Sequence, residues 1–570
     1  MHRSTSTSSG EKLVFCHFMV GIVSNRKSSA DYDDDMIRAK DAGIDAFALN
    51  IGTDSYSDNQ LEYAYTSAAK NGMKVFLSFD FNWWSTSEGS AVGTKIKKYA
   101  SESAQLMVDG KVFVSSFSGD GVDVDAMVSS AGQELFFAPN FHPGEGNFDN
   151  VDAAFNWMGW PSNGNNKAPS AGKDISVIAG DTSYASALSG KPYIAPVSAW
   201  FSTHFGDEVS YSKNWVFPSD LLWYNRWREV LTLQPRFVEI ITWNDYGESH
   251  YIGPLSSPHT DDGASKWVMD MPHGGWLEMA KPFISAYKAG SLDAGQYITE
   301  EKLVYWYRPS PRNTDCDATD TTMGAADNSS GNYFQGRPDG WETMNDEIFV
   351  VSLLKEPAQL LVKSGSHEKT FLAPAGIAAF SVPMGVGKQS FSVTRSGETV
   401  LSGTSMRDIV TSCQAGIYNF NAYVGVLPAP ETIDELLPEG YASLTVGLKT
   451  KCPINTLSAV SGVPTAVAVP TTVSATASAI PNTISSASAS ASTSTDTGAS
   501  IDVGASVGFS VGYTVGASAA ATVAATAAAT PSAIAVPSAK YSTNTGVSAT
   551  KEHSSPASTI DDDSCGCHCF

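Results

Sequence analysis

The segment from Phe237 to His250 carries the residues of this chain that are best suited to chemistry. An apolar, β-branched run covers residues 237–242, and Asp245, Glu248 and His250 follow it at once. In a barrel of parallel strands the reacting groups lie at the carboxyl ends of the strands, which is where these side chains are expected. Two carboxylates three residues apart therefore indicate acid–base chemistry.

Polar and aromatic side chains also follow several other predicted strands. Brought to one edge of a sheet, they would form a cleft rich in carboxylates, amides and indole rings. Indole and phenol rings stack on the apolar faces of sugars, and Asp, Asn and His bind hydroxyl groups, so the mixture favours a neutral carbohydrate. The predicted substrate-binding residues are His17, Asn82, Trp83, Trp84, Asp120, Asn140, His142, Trp200, Trp243, Asn244, Tyr246 and His250.

Cleavage of a glycosidic bond needs one carboxylic acid to protonate the leaving oxygen and one carboxylate to activate water or attack the sugar. We assign Glu248 as general acid and Asp245 as general base. Asp80 is predicted to be a third catalytic carboxylate, which holds a sugar hydroxyl or sets the pKa of its neighbours. The ordinary alternative for Asp245 and Glu248 is a turn Asp followed by a Glu at a helix start.

Short β-rich runs alternate with amphipathic helical runs from Leu13 to Trp243, which predicts an α/β fold with parallel strands joined by helices. Eight such runs favour a closed (β/α)8 TIM barrel at residues 13–298, with the loop 246–274 lining the cleft. The predicted strands are Leu13–Val20, Ile44–Asn50, Met73–Asp80, Lys111–Ser118, Glu134–Asn140, Phe155–Met158, Tyr193–Trp200 and Phe237–Thr242. Helices are predicted at Asp33–Ala42, Asp58–Asn71 and Gly275–Ala289.

From about Thr299 the pattern changes to short alternating strands separated by turn residues, which predicts a C-terminal β-sandwich domain over residues 299–452. In residues 453–570 Ser, Thr, Ala, Val and Pro dominate, and this composition predicts a disordered stalk. Residues 1–12 are predicted to be disordered as well. The named strands of the sandwich are Leu303–Tyr307, Glu347–Leu354, Gln359–Ser364, Gly376–Pro383 and Gln389–Arg395.

The charge of the chain restricts its partners. With a formal net charge of −23 and no basic stripe, the chain is not expected to bind nucleic acid. The uncharged run from Val503 to Ala539 is interrupted by Ser and Thr and lacks Leu, so no membrane insertion is expected. A monomer that acts on a polysaccharide is the predicted arrangement.

Seven cysteines are distributed unevenly along the chain. Cys16 lies in the first predicted strand and fits a buried small hydrophobe. Cys316, Cys413 and Cys452 can supply one disulfide, and the sequence leaves the pairing open. The terminal group at 565–569 is better suited to a disulfide or to surface attachment than to a tetrahedral metal site.

No metal or other cofactor is predicted, because His17, His142 and His250 are scattered and are equally explained as hydroxyl donors. Residues 1–12 are polar and show no secretory signal. The Ser/Thr-rich stalk and the acceptor sequence at Asn328 still favour an extracellular or cell-wall location.

The chain also resembles glycoside hydrolase family 71, the fungal α-1,3-glucanases that are also called mutanases. The matching stretches are Val14–Gly21, Asp41–Asn50, Leu77–Asn82 and Trp243–Ser249. The resemblance implies a (β/α)8 barrel with a C-terminal β-sandwich that hydrolyses α-1,3-glucosidic bonds of cell-wall glucan with inversion. The acidic catalytic positions of the family resemble Asp80, Asp245 and Glu248 here.

Two alternatives stay open at this point. One is a non-catalytic wall protein that uses the barrel as a carbohydrate-recognition surface. The other is an enzyme of the same architecture that acts on another linkage, such as an α-mannoside. The linkage depends on the resemblance alone, because residue types identify a sugar cleft but not its anomeric preference. Endo action on the glucan is likewise an expectation.

Overall fold

A computed structural model of the chain describes residues 10–164, 167–205, 213–320 and 336–442. These residues contain 19 β-strands and eight α-helices. The predicted stalk, Cys452, the terminal cysteine group and the acceptor at Asn328 lie outside the described residues, as does most of the predicted disordered N-terminus. The run from Val503 to Ala539 also lies outside them.

The strands follow one another along the whole described part of the chain. They are β1 (Leu13–Met19), β2 (Ala46–Ile51), β3 (Lys74–Asp80), β4 (Met107–Val108), β5 (Lys111–Phe117), β6 (Leu135–Pro139), β7 (Ala154–Phe155), β8 (Tyr193–Ser198), β9 (Ser202–His204), β10 (Asn214–Val216), β11 (Phe237–Ile241), β12 (Lys302–Tyr307), β13 (Glu347–Leu354), β14 (Ala358–Ser364), β15 (His367–Ala373), β16 (Gly376–Pro383), β17 (Gln389–Arg395), β18 (Glu398–Thr404) and β19 (Tyr423–Leu427).

The helices surround the parallel strands. They are α1 (Asp33–Asp41), α2 (Ser57–Asn71), α3 (Gly89–Tyr99), α4 (Val124–Ala131), α5 (Val177–Leu188), α6 (Leu222–Leu233), α7 (Ser265–Val268) and α8 (Gly274–Lys288). The three helices predicted from the sequence correspond to α1, α2 and α8. In the described residues, none of the helices is long and apolar enough to cross a bilayer.

Eight parallel strands form a curled sheet in the order β6-β5-β3-β2-β1-β11-β8-β7, and β4 adds a short antiparallel pairing to β5. The first strand, β1, pairs with both β2 and the last strand, β11. Between β6 and β7 the backbone N–H groups of Asp152 and Ala153 donate to the carbonyl of Phe137. All eight parallel strands predicted from the sequence are present, and the mixed α/β class is confirmed.

The concave side of this sheet is filled by phenylalanine side chains. Phe15 packs against Phe76 at 5.0 Å and against Phe113 at 5.1 Å between ring centroids. Phe113 in turn packs against Phe136 and Phe237. We call these five residues the phenylalanine cluster. Because side chains alternate across a strand, the intervening residues face the helices and are buried as well, which explains the continuous apolar runs.

Cys16 is one of these helix-facing residues. It is fully buried and unpaired, as predicted. Its thiol is surrounded by apolar side chains, and burial raises its pKa well above the ordinary value. The residue therefore behaves as a small hydrophobe.

The C-terminal strands form two four-stranded antiparallel sheets, in the orders β16-β13-β12-β19 and β15-β14-β17-β18. Along β12, Val304 and Trp306 pack with the helical layer, whereas Leu303, Tyr305 and Tyr307 pack toward the second sheet. The first sheet is thus buried on both faces, and it links the parallel sheet to the second antiparallel sheet.

The apolar core continues across the predicted boundary at residue 298. The indole N–H of Trp306 donates to the carbonyl of Asp220 at 2.8 Å, and that of Trp200 donates to the carbonyl of Phe420 at 3.0 Å. Residues 10–442 accordingly belong to one compact unit. The domain boundaries at 298 and 452 stay predictions.

A disulfide joins Cys316 to Cys413 across a sequence separation of 97 residues. It is one of the pairings that the sequence left open. The two antiparallel sheets and their connections are called the antiparallel unit below. The bond connects the segment after β12 to the segment before β19, so it constrains two distant parts of this antiparallel unit.

Arg226 on α6 makes a buried two-pronged ion pair with Asp181 on α5, with distances of 2.6 and 2.8 Å. We expect Arg226→Met to lower the free energy of unfolding by about 3–5 kcal/mol, because it leaves a buried carboxylate without its cation. Urea denaturation followed by tryptophan fluorescence measures the change. Arg38→Met removes the exposed pair with Asp34 and should cost at most about 1 kcal/mol. Equal losses in both variants would contradict this account.

Candidate active site

The loop that follows β11 is organised by its own side chains. The Thr242 hydroxyl accepts a hydrogen bond from the backbone N–H of Asp245 at 2.8 Å. The Asp245 carboxylate accepts one from the backbone N–H of Glu248 at 3.0 Å. These hydrogen bonds are those of the turn that was the ordinary alternative for the motif. The two side chains are nevertheless partly open to solvent, with exposed fractions of 16% for Asp245 and 19% for Glu248.

Glu248 lies between two nitrogen groups. The Lys213 ammonium is 3.1 Å from one carboxylate oxygen, and Nε2 of His250 is 3.0 Å from the other. Burial by itself would raise the pKa of Glu248, but Lys213 and His250 outweigh it and lower this pKa to about 2. Glu248 is therefore held as a carboxylate.

Asp245 has the opposite balance. Burial and the negative charge of Glu248 raise the pKa of Asp245, and this increase exceeds the lowering by His250, whose Nε2 is 3.7 Å away. Two adjacent carboxylates with pKa values displaced in opposite directions form the arrangement expected of an acid and a base.

His250 is fully buried and packs among aromatic rings. Its ring centroid is 5.2 Å from that of Trp160 and 5.8 Å from that of Phe201. Nδ1 is 3.2 Å from the Thr242 hydroxyl, so the other ring nitrogen faces Glu248. His250, predicted to bind substrate, is therefore placed to fix Glu248 rather than to contact solvent.

An oxygen of Asp245, an oxygen of Glu248 and a ring nitrogen of His250 lie within 4.8 Å of one another. Oxygen and nitrogen atoms at this spacing are compatible with a bound cation. In this structure Lys213 already places a positive charge against Glu248. Charge neutralisation by the side chains themselves accounts for the cluster.

Asp80 ends β3, two strands away from β1, and is 8% exposed. Its carboxylate accepts a hydrogen bond from the backbone N–H of Asn82 at 2.9 Å. Burial raises the pKa of Asp80, and the opposing effects of Asn82, His17 and Asn50 do not cancel the increase. Asp80 at the end of β3 thus interacts with His17 of β1 and with Asn50 of β2.

His17 is fully buried beneath this group and pairs with Glu239 of β11 at 2.7 Å. Burial raises the pKa of Glu239 more than the hydrogen bond from His17 lowers it. The half-buried Trp157 covers His17 at 4.8 Å between ring centroids and also reaches His250 at 6.3 Å. Trp157 consequently connects the Asp80 side of the site with the Glu248 side.

Other predicted sugar-binding residues lie at the same strand ends and are open to solvent. Trp83 is 68% exposed, and Asn82 beside it is exposed too. The Asp120 carboxylate accepts a hydrogen bond from the backbone N–H of His142 and lies 2.6 Å from Nδ1 of that ring, which raises the pKa of His142. Trp84 is half-buried, and its indole N–H donates to a backbone carbonyl of β2.

Two of the predicted tryptophans lie inside the protein. Trp200 is 1% exposed, and its indole N–H is satisfied by the carbonyl of Phe420. Trp243 is fully buried, and its indole N–H donates to the carboxylate of Asp35 at 2.9 Å. Both side chains are enclosed in the protein interior, so neither presents a ring face to a sugar.

Asn244, Tyr246 and Asn140 are also buried. The Asn244 side chain bonds to both backbone groups of Met19, and the Tyr246 hydroxyl donates to the carbonyl of Pro254. The Asn140 amide donates to a backbone carbonyl of β7 and to a tyrosine hydroxyl on α5. These three residues hold the loops of the site in place, because their polar atoms are engaged by the protein.

The sequence did not indicate Lys213, Trp157, Glu239 or Asp262 as site residues. Asp262 lies near Asp245 on the loop after β11, and desolvation together with the charge of Asp245 raises the pKa of Asp262. Glu239 carried a signal that could have been used, since a charged residue inside an apolar strand requires a buried partner. Lys213 lies in a stretch of the sequence without any periodic pattern.

Comparison with known sequences gives the family. The sequence profile described as Glycosyl hydrolase family 71 matches residues 10–436. The chain belongs to glycosyl hydrolase family 71. The resemblance found in the sequence motifs is confirmed, and the family 71 chain is a glycoside hydrolase.

Relatives of this family 71 hydrolase include a mutanase of Penicillium rubens, which is 42% identical over 74% of this chain and 90% of the relative. A glucan endo-1,3-alpha-glucosidase of Schizosaccharomyces pombe is 38% identical over 73% of this chain and 95% of the relative. Among solved structures, a family 99 endo-alpha-mannosidase of Bacteroides thetaiotaomicron aligns with a TM-score of 0.34 at 10% identity, over 48% of this chain and 97% of that chain. That likeness is too low to support any argument about this hydrolase.

Gly247 lies between Asp245 and Glu248 in the sequence of this family 71 hydrolase and has no room for a side chain. A Cβ atom there would lie 2.6 Å from Oδ2 of Asp262 and 2.8 Å from the ring of Phe205. We expect Gly247→Ala to lower kcat about 10- to 100-fold by displacing the loop, with little change in the thermal midpoint. Gly274→Ala, whose Cβ would meet nothing within 4 Å, is the control. Wild-type kcat in Gly247→Ala would refute the constraint.

Proposed function

We propose that this chain hydrolyses α-1,3-glucosidic linkages of fungal cell-wall α-glucan. The observation that supports the chemistry is the pair of neighbouring carboxylates, Asp245 and Glu248, with pKa values displaced in opposite directions. The linkage is supported by the relatives, which are named as a mutanase and a glucan endo-1,3-alpha-glucosidase and are covered almost completely by this chain.

The charges favour the reverse of the roles assigned from the sequence. Asp245, with its raised pKa, is the better general acid, because a proton donor must be protonated at the working pH. Glu248 is the better base, because Lys213 and His250 keep it ionised. We therefore propose Asp245 as acid and Glu248 as base, with Asp80 in a supporting role near the sugar.

Inversion of the anomeric centre stays a prediction that rests on the family resemblance. Inverting glycosidases hold their two carboxyl groups about 6.5–9.5 Å apart so that a water fits between sugar and base. Oxygen atoms of Asp245 and Glu248 approach within 4.8 Å here. Because this is the approach of single oxygen atoms rather than the separation of the carboxyl groups, proton NMR of the anomer that is first released is the measurement that decides the stereochemical outcome.

We propose a closed (β/α)8 barrel as the finer description of the parallel sheet. Seven of its eight neighbour pairings are strand ladders, and the eighth contact consists of the two hydrogen bonds to Phe137. The two antiparallel sheets, whose facing sides share an apolar core, are proposed as a β-sandwich.

Among the predicted sugar-binding residues, the accessible ones are the best candidates for glucan contact. They are Asn82, Trp83, Trp84, Asp120 and His142, to which we add Trp157. The exposed indole of Trp83 offers a flat apolar face to a pyranose ring. These residues follow four different strands, so they suit a polymer that extends across several of them, and this supports the proposed endo action.

An extracellular or cell-wall location is proposed from two observations. The proposed substrate is a wall polymer, and the disulfide between Cys316 and Cys413 is typical of oxidising compartments. A monomeric state and the absence of nucleic-acid partners stay predictions from the sequence.

Removal of either carboxylate tests the function. We expect Asp245→Asn and Glu248→Gln each to reduce release of reducing ends from insoluble α-1,3-glucan by about 10²- to 10⁴-fold. Glu62→Gln changes a carboxylate on α2 that pairs with Lys98 outside the site and should keep full activity. A wild-type chain that sediments with the glucan but releases no product would instead support a wall-binding protein.

The proposed roles also predict the pH dependence of kcat/KM. Glu248 must be ionised, so activity is present above its pKa of about 2. Asp245 must be protonated, so activity falls as pH rises through its raised pKa. We expect an acid optimum bounded on its alkaline side by Asp245, measured with a soluble α-1,3-linked oligosaccharide at pH values where the fold is retained. Activity that increases toward neutral pH would contradict the assignment.

A further inference from the structure

A short hairpin presents Lys213 to the active site. Strands β9 and β10 pair antiparallel, with His204 opposite Asn214, and Lys213 immediately precedes β10. The backbone N–H of Ser202 in β9 donates to the carbonyl of Glu248 at 3.1 Å. The hairpin therefore touches the catalytic loop twice, through this backbone hydrogen bond and through the ion pair of Lys213 with Glu248.

Each strand of the hairpin has only three residues. A two-stranded hairpin is marginally stable by itself, and the ion pair of Lys213 with Glu248 joins only one of its side chains to the catalytic loop. Side-chain entropy opposes a fixed position of the lysine. Contacts from elsewhere in the protein must therefore hold Lys213 in register with Glu248.

One such contact is a buried hydrogen-bonded chain through His204. Its Nδ1 is 2.7 Å from the side-chain oxygen of Asn214, and its Nε2 is 2.6 Å from the carboxylate of Asp320. The side chains of His204 and Asp320 are each 2% exposed. A hydrogen bond that is shielded from water in this way restrains geometry more strongly than an exposed one.

A second contact binds the other edge of the hairpin. The backbone N–H of Val216 donates to the carbonyl of Asp339, and the N–H of Asp339 donates to the carbonyl of Asn214. The Asn214 side chain also donates to the carbonyl of Gly336. Strand β10 is thus held by the segment that lies between β12 and β13.

The disulfide fixes the position of Asp320. The backbone N–H of Asp320 donates to the carbonyl of Cys316 at 2.7 Å. Its carboxylate accepts a hydrogen bond from the backbone N–H of Tyr418, five residues after Cys413, at 2.9 Å. Because Cys316 and Cys413 are covalently linked, Asp320 is held on both sides by segments that the bond joins.

We propose that the residues around the Cys316–Cys413 disulfide, which we call the disulfide segment and which include Asp320, are a positioning element of the active site. Asp320 holds His204, and His204 holds the hairpin that places Lys213 against Glu248. Lys213 is the contacting member of this set, whereas His204 and Asp320 are positioning residues that act through it. The inference rests on the proposed role of Glu248. It gives the antiparallel unit a part in the reaction.

The pH dependence of kcat/KM provides a specific readout. Among the residues that the structure describes, the charged and titratable groups that face Glu248 are Lys213, His250 and Asp245, and Asp262 faces the last of these from the following loop. Lys213→Met leaves Glu248 without its main cation, so the acid limb should move up by about 1 pH unit or more. The kcat/KM at the optimum should fall about tenfold or more. Lys213→Arg should restore the limb, and Lys95→Met, which breaks the pair with Asp58 on the helical surface, should leave both values unchanged.

The positioning residues are tested by Asp320→Asn and His204→Gln. We expect both to move the acid limb in the same direction as Lys213→Met, because the lysine loses its register with Glu248. A merely structural role would lower the thermal midpoint and leave the acid limb in place. If His204→Gln fails to fold, Asp320→Asn still decides the question, because it keeps the size of the side chain but removes the negative charge that holds the His204 ring.

The outcomes separate this inference from the proposed function. A wild-type chain that is inactive on the α-1,3-linked oligosaccharide overturns the proposed function. An active wild type that loses activity in Glu248→Gln, but whose acid limb is unmoved in Lys213→Met and Asp320→Asn, overturns only the inference. A shift in Lys213→Met without a shift in Asp320→Asn overturns the link to the disulfide segment.

Discussion

The structure depends on one electrostatic constraint, which is the fixed ionisation of Glu248 beside Asp245. Two carboxylates this close repel each other, and their protonation would be shared without further help. Lys213 and His250 break the symmetry because both contact Glu248 more closely than Asp245. Most of the site can be understood as support for this asymmetry.

That support is distributed over elements that are far apart in the sequence. Thr242 and the aromatic rings around His250 orient its imidazole, while the β9–β10 hairpin carries Lys213. The hairpin is in turn bound by the antiparallel unit. Asp245 and Glu248, only three residues apart, thus depend on contacts from residues more than 70 positions away.

The sequence predicted local features well and long-range ones poorly. The parallel strands were found because buried strands have continuous apolar runs. Asp245 and Glu248 were chosen as catalytic residues because they follow such a run directly, and that assignment stays a prediction. Trp200 and Trp243 were predicted to face sugar, since sequence position gives the end of a strand but not the direction of a side chain. Lys213 escaped prediction, because its pairing with Glu248 is created by an irregular hairpin.

The phenylalanine cluster has a consequence for how a polymer is handled. Rings packed about 5 Å apart leave no channel along the axis of the curled sheet. Under the proposed function, a glucan strand is therefore bound across one end of the sheet, with its two directions projecting past the rim, and is not threaded through the protein. Such a geometry needs no free chain terminus, and with the proposed endo action we expect the first cut within a strand that is embedded in a fibre with both ends hidden.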